Sequence, residues 1–327
     1  MLLPVFDLHR PQSLGDAAAL AARAPNGADL LGGGTDLLCN YKWDLNAKPE
    51  VIALRQLSEM QGIVRREDGG WRIGAGETLH DLEQCANLAA AFPAIRESAE
   101  KIASPLIRRT ATLGGNLFQD TRCHFFNQSR FWRTSLGFCL KAEGTTCHVI
   151  PQAETCYATY HGDLAPVLMV LDASVTLVSA AGERSVKLHE LFGGEGRVKH
   201  SKRPDEIATE VTIPAAAEGY RSGYTKLRYR DAFDFPALGI AAAVKLDGGV
   251  VSDLKIAITA VRQHPYRCDE FTAPLIGKPF NESAIRTLCE QLREDARPVK
   301  SLSTPPPDYR KKMVAVYGRR LLERLAK

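Results

Sequence analysis

Four of the chain's eight cysteines, Cys123, Cys139, Cys147 and Cys156, crowd into one stretch with the spacing Cys-x15-Cys-x7-Cys-x8-Cys. Four thiolates suit a zinc ion or an iron–sulfur cluster, since both accept a tetrahedral outer set of sulfur ligands. The paired C-x2-C knuckles of zinc ribbons are absent, and the long intervals leave room for the bulkier cluster. Aromatic residues interleave with the cysteines at His124, Phe125, Phe126, Phe131, Trp132 and Phe138, which would keep water from a redox centre. His124, His148 and His161 keep a mixed Cys/His site open, and four scattered structural thiols are the plain alternative. Cys39, Cys85, Cys268 and Cys289 read as ordinary residues.

A second chemistry is written in glycine. Leu30-Leu31-Gly32-Gly33-Gly34-Thr35-Asp36-Leu37 offers consecutive N–H groups with no Cβ in the way, as a diphosphate requires of a loop. The pattern is neither G-x-G-x-x-G in a βαβ unit nor a lysine-bearing P-loop, and a tight strand-to-helix turn would look the same. Ala111-Thr112-Leu113-Gly114-Gly115-Asn116 supplies a second such turn, so the two loops could clamp one diphosphate from both sides.

Short elements must position these residues. Ser13 caps an expected helix through Pro25, and Ala28–Leu31 reads as a buried strand entering the first glycine turn. VIALRQL, GIVRRED, GWRIGAG and SVTLVSA read as strands, and TLHDLEQCANLAAAF and FPAIRESAEKIA as helices. Beyond Tyr220 the pattern becomes antiparallel strands joined by the Asp247-Gly248-Gly249 hairpin signal, followed by helices. The class is α+β, with a domain boundary expected within 215 to 220, where Pro214 to Gly219 reads as a linker.

Composition narrows the function. With 45% hydrophobic and 24% charged residues in 327, the chain has enough apolar material for two or three cores. No signal peptide and no run of about 18 apolar residues is readable, so a cytoplasmic location is expected and the cysteines are read as thiols or ligands, not disulfides. The sequons at Asn127 and Asn281 are then chance. The net charge of +4 is modest, and the basic tail YRKKMVAVYGRRLLERLAK reads as a solvated terminal helix rather than a nucleic-acid or membrane arm.

Five segments together carry a resemblance: LLGGGTDLL from Leu30, ATLGGN from Ala111, GDLAPVLMVLDA from Gly162, EIATEVTIP from Glu206 and YTKLRYRDAFDFPALGIAAAV from Tyr224. In them, over nearly its whole length, the chain resembles the FAD-binding medium subunits of molybdenum hydroxylases, related to xanthine dehydrogenase and carbon monoxide dehydrogenase. The resemblance implies a two-part FAD-binding domain of the vanillyl-alcohol-oxidase (PCMH) type over 1–218, with lobes 1–56 and 57–218, and a C-terminal α/β domain over 219–327. It implies that Leu30, Leu31, Gly32, Gly33, Gly34, Thr35, Asp36 and Leu37 hold the diphosphate and adenosine side. Ile102, Ala103, Thr112, Gly115 and Asn116 would close on FAD from the second loop. Asp163 would meet its hydroxyls, the backbone near Ile207 would touch it, and Lys226 would approach the isoalloxazine, where a cation stabilises negative charge formed on reduction.

Family members usually pass briefly from GGN to D-L-x-P, whereas here 46 residues intervene, Leu117 to Gly162, and hold all four clustered cysteines. Such an insertion resembles the 4-hydroxybenzoyl-CoA reductase branch, implying a 4Fe-4S cluster on Cys123, Cys139, Cys147 and Cys156 besides FAD. The implied role is electron transfer in anaerobic aromatic compound degradation: electrons from a low-potential, ferredoxin-like donor pass through this chain to a small subunit with two 2Fe-2S clusters and a large molybdopterin subunit, in a dimer of heterotrimers. No acid/base catalytic residue is expected in this chain. Outward flow from a purine or other aromatic heterocycle is one alternative, and a zinc-stapled FAD-binding protein is another.

Overall fold

The computed structural model describes residues 2–24, 27–301 and 304–327. Among them the strands form three sheets. β1 (Asp7–His9), β2 (Asp29–Leu31) and β3 (Glu50–Ala53) make a small parallel sheet in the order β1-β3-β2. The helix Leu14–Arg23, capped by Ser13 accepting from the Asp16 N–H, returns the chain between β1 and β2. Pro25, where that helix was expected to end, lies outside the described residues.

β4 (Ile63–Arg65), β5 (Trp71–Gly74), β6 (Ser174–Ser179), β7 (Gly182–Lys187) and β8 (Ile207–Ile213) form an antiparallel sheet in the order β4-β5-β8-β6-β7. The helix expected over 78–92 is two, Leu79–Gln84 and Ala86–Ala91, broken where Cys85 turns extended at ψ 95°. The helix Leu164–Val170, LAPVLMV, is buried at all seven positions. An element apolar all round has no solvent face, so it runs through the core and shows no amphipathic period.

β9 (Arg221–Leu227), β10 (Leu238–Asp247), β11 (Val250–Thr259) and β12 (Tyr266–Arg267) make the third sheet, also antiparallel, in the order β12-β11-β10-β9. β10 is covered on both faces. Ala241 and Ala243 join the core around Leu164–Val170, while Leu238, Ile240, Ala242 and Val244 join the core under the helices Glu282–Asp295 and Pro307–Ala326. The alanines let the buried helix approach the sheet closely.

Asp172, left-handed at φ 54°, ties these two layers: its carboxylate takes Lys255 Nζ at 2.5 Å and Arg267 Nη1 at 2.6 Å. Burial alone would raise this carboxyl's pKa, but Lys255 and Arg267 outweigh it and hold it below the usual range. A depressed carboxylate stabilises the fold above its unfolded value of about 3.9 and loses that contribution as pH falls through the folded value. Asp172→Asn is therefore expected to flatten the acid limb of a stability-against-pH curve below about pH 4.

The terminal basic helix differs from the expectation of a solvated element. Val314, Leu321, Leu322 and Leu325 are core, and Arg310 is 1% exposed. Its guanidinium donates to the carbonyls of Ala237 (2.8 Å), Val299 (3.1 Å) and Ala260, and burial lowers its pKa to about 10. Arg310→Met would leave these carbonyls unpaired, and a loss of about 3 kcal/mol in urea unfolding is expected. No helix among the described residues is long and apolar enough to cross a membrane.

Candidate functional site

The first glycine loop leaves β2 at Leu31 and runs into the helix Leu37–Lys42. Every residue from Leu30 to Leu38 is partly exposed, so this wall of leucine and glycine borders open space. Among the described residues, the N–H groups of Gly33, Gly34 and Thr35 donate to no protein acceptor. Three unspent donors on one turn are what an anion needs.

The second loop lies directly against the first. A Cβ on Gly32 would come within 2.6 Å of Thr112 Oγ1, and one on Gly33 within 1.9 Å of the Thr110 carbonyl oxygen. The donors of this loop are spent internally: Leu113 N–H on Glu77 O, Gly114 N–H on Ala75 O, Gly115 N–H on Thr112 Oγ1 and Asn116 N–H on Thr112 O. Thr112 is buried as a helix cap, and Asn116 Oδ1 accepts from the Leu164 N–H. The two loops thus divide the work, one presenting free donors and the other bracing it. Ala103, beside the buried Ile102, is held left-handed at φ 46°.

Asp163 and Lys226 face each other, 3.0 Å apart, with side chains 4% and 1% exposed. Lys226 Nζ also donates to Lys101 O at 2.8 Å, and Tyr224 OH donates to Asp163 Oδ1 at 2.7 Å. Burial pushes the Asp163 carboxyl above its usual range, with Lys226 and then Tyr224 pulling it back. The pair therefore fastens β9 to the Gly162–Asp163 turn and offers no open surface of its own. Ile207 is 0% exposed and packs in the core beneath the first lobe, leaving only its backbone for a ligand. Tyr224 and Lys101, not singled out by the sequence reading, complete this knot.

The inserted segment is closed at its stem by Arg122 and Thr159, which exchange both backbone hydrogen bonds at 2.8 and 2.9 Å. Arg122 then reaches Asp36 of the first glycine loop at 2.8 Å, its guanidinium 4.5 Å from the Phe235 ring centre. A charged strut thus joins the glycine loop to the residue preceding Cys123.

Cys123, Cys139, Cys147 and Cys156 line a single pocket together with Phe125, Phe126, Lys141 and His148. No cysteine of the chain is in a disulfide. Burial pushes the Cys156 thiol up to about 11 and raises Cys123 as well, opposed by the backbone N–H groups of Ala158 at Cys156 and of Phe125 and Phe126 at Cys123. His148 fixes one ring nitrogen on the Phe138 carbonyl, and His124 stacks edge-on against Phe125 and Trp132. His161 points away, with Nδ1 2.8 Å from Pro236 O and its pKa lowered to about 3 by burial.

One segment packed against residues of this pocket, 195–197, was not singled out in the sequence. Glu195 accepts from the Cys156 N–H at 2.6 Å, Gly196 N–H donates to Cys156 O, and Arg197 reaches Leu140 O. A Cβ on Gly196 would meet Cys156 Sγ and Ala158 N at 2.8 Å, so only glycine closes over the sulfur here. The Gly193-Gly194-Glu195-Gly196 run was the available signal, but it lies far along the chain from the cysteines.

Residues 4–216 match the family model described as the FAD binding domain in molybdopterin dehydrogenase, and residues 222–325 match the CO dehydrogenase flavoprotein C-terminal domain. The chain belongs to this family of molybdenum hydroxylase FAD-binding subunits. Over 294 residues it is 28% identical to the xanthine dehydrogenase FAD-binding subunit of Escherichia coli O157:H7, covering 90% of this chain and 87% of that one. It is 28% identical over 319 residues to the carbon monoxide dehydrogenase medium chain of Afipia carboxidovorans, covering 98% and 96%. A structure of reconstituted CO dehydrogenase from Oligotropha carboxidovorans superposes with a TM-score of 0.81 at 26% identity, covering 100% and 99% of the two chains. The vanillyl-alcohol-oxidase-type α+β architecture with its flavoprotein C-terminal domain is that of the family, and FAD is its cofactor. The unspent N–H groups of Gly33 to Thr35, on a turn that packs too closely on the second loop for a Cβ at Gly32 or Gly33, fit a diphosphate of that kind.

Proposed function

We propose that this chain is the electron-transferring medium subunit of a 4-hydroxybenzoyl-CoA reductase-like complex, carrying a 4Fe-4S cluster on Cys123, Cys139, Cys147 and Cys156 in addition to FAD. The observation that carries the reading is the convergence of all four inserted cysteines on one pocket, strutted to the glycine loop by Arg122. When bound, FAD and the cluster supply two-electron storage and one-electron transfer between partner subunits. The chain's own residues bind, orient and exclude water.

Leu30 to Leu37 would hold the diphosphate and adenosine side, with Ile102, Ala103, Thr112, Gly115 and Asn116 opposite. Asp163 and Lys226 would act by fixing the β9 edge of the flavin site. The partners would be a molybdopterin large subunit and a small 2Fe-2S subunit, with a ferredoxin-like donor outside the complex. The domain division would be 1–218 and 219–327.

A zinc staple would draw on the same four thiols, with His148 also lining the pocket. Iron, sulfide and zinc analysis of the purified protein separates the two: zinc in place of iron and sulfide would reject the cluster.

A second reading, oxidation of an aromatic heterocycle with electrons flowing outward, draws support from the relatives named for xanthine and nicotinate dehydrogenases. Anaerobic assay of the purified complex with 4-hydroxybenzoyl-CoA and a reduced low-potential donor separates the two. Dehydroxylation is expected; its absence alongside good heterocycle oxidation would reject the reductase.

A further inference from the structure

Beside the cysteine pocket sits a cation that the electron-transfer reading does not use. Lys141, two residues past Cys139, is 4% exposed at its side chain and lines the same pocket as the four sulfurs. Its Nζ meets Asp120 Oδ2 at 2.9 Å, donates to the Thr121 carbonyl and hydroxyl, and stands 4.7 Å from the Phe126 ring centre. The same Asp120 carboxylate takes Lys199 at 3.2 Å on its other oxygen, so one carboxylate serves two ammonium groups. Asp120 is 37% exposed and screened by water, whereas Lys141 is enclosed.

The Arg133 guanidinium also stands 5.9 Å from the Phe126 ring centre. It is buried, and its donors go to main-chain carbonyls: Gln128 from Nε, Trp43 and Asp44 from Nη2. Glu195, the nearest carboxylate to Cys156, is spent on the Cys156 N–H and on Arg197. Lys141 in the wall of the pocket, with Arg133 and Lys199 behind it, therefore puts more buried positive than negative charge around the sulfurs. An apolar guest would gain nothing from this excess, and burying it has a desolvation cost. Four thiolates around a metal centre of lower positive charge would gain, because a charge in a low-dielectric wall acts over several ångströms.

We propose that Lys141 is a positioning residue that sets the reduction potential of the centre held by the four cysteines, its ammonium offsetting the negative charge that rises when that centre takes up an electron. This rests on the 4Fe-4S reading. The charge is tuned by Asp120, which holds Lys141 in place while cancelling part of it, and by Lys199, which restores what Asp120 cancels. Net charge and hydrogen bonding around the sulfurs are the levers by which a protein moves such potentials.

The test uses the full chain reconstituted anaerobically with iron and sulfide, titrated with dithionite against mediators and followed by electron paramagnetic resonance. Relative to the unaltered chain, Lys141→Met is expected to lower the midpoint potential, Lys199→Met to lower it less, and Asp120→Asn to raise it. Lys141→Arg is expected to restore most of the shift. A residue that merely props up the loop would shift all variants one way or cost them iron alike. Equal midpoints, or Lys141→Met and Asp120→Asn moving together, would overturn the inference while leaving the cluster standing. If Lys141→Met takes up no iron, opposed shifts in Lys199→Met and Asp120→Asn still sustain it, and their absence overturns it. An unaltered chain that binds no iron and sulfide would overturn the cluster reading, and this inference with it.

Discussion

Cys139→Ser is expected to remove the iron–sulfur absorbance and acid-labile sulfide of this chain while its FAD content stays unchanged. Cys139 is 7% exposed and sits in a small apolar cluster with Leu45 and Phe126, the part of the pocket anchored to the first lobe. Serine nearly preserves the volume, so packing changes little. It replaces a soft thiolate with a hydroxyl that does not deprotonate at neutral pH and binds iron poorly. Losing a direct ligand should weaken metal retention beyond the roughly 10- to 100-fold typical of residues that only support ligands. FAD should remain, since the free donors at Gly33 to Thr35 belong to a different segment, which the Asp36–Arg122 ion pair links to the stem of the insertion rather than to its cysteines. Iron, sulfide and flavin analysis of the complex checks this, counted beyond the small subunit's share. A variant with its full iron complement would show that the ligand set is wrong.

What the sequence made legible follows from which signals are local. β10 and β11 announce themselves through the Asp247-Gly248-Gly249 turn, and Ser13 through its cap, because turn and cap chemistry is decided within a few residues. The helix Leu164–Val170 was hidden in a uniformly apolar run, since burial on every side erases periodicity. The terminal helix misled for the opposite reason: its charges suggested solvent, yet Arg310 finds its partners at Ala237, Ala260 and Val299, more than ten residues away in sequence.

The candidate site divides the same way. The cysteines and glycine loops were legible by residue type and spacing. That Gly33 abuts Thr110, that Gly196 closes over Cys156, and that Lys226 is locked on Asp163 instead of standing free are consequences of tertiary approach. No local pattern encodes them. Lys226 shows the limit best, because a strand lysine looks the same in sequence whether it faces a cofactor or a buried carboxylate.

The second large effect concerns the loop contact itself. Gly33→Ala is expected to reduce bound FAD by at least about tenfold, a loss of at least about 1.4 kcal/mol in binding, while the cysteine pocket keeps its iron. The added methyl would lie 1.9 Å from the Thr110 carbonyl oxygen and 2.9 Å from the Ala111 Cα, and both neighbours are backbone, so no side-chain rotation relieves the clash. The loops must separate, and the donors of Gly33, Gly34 and Thr35 lose their brace. Gly34→Ala provides the contrast. There the neighbours are the flexible ends of Leu31 and Leu38 at 3.0 Å, and the strain comes from φ +71°, worth about 1–2 kcal/mol for a residue with a Cβ. If loop contact governs cofactor retention, the alanine at 33 must be the more damaging of the two in flavin content after gel filtration. Equal retention by both variants would mean that FAD is held elsewhere on the chain, and the assignment of the diphosphate to Gly32 through Thr35 would fall.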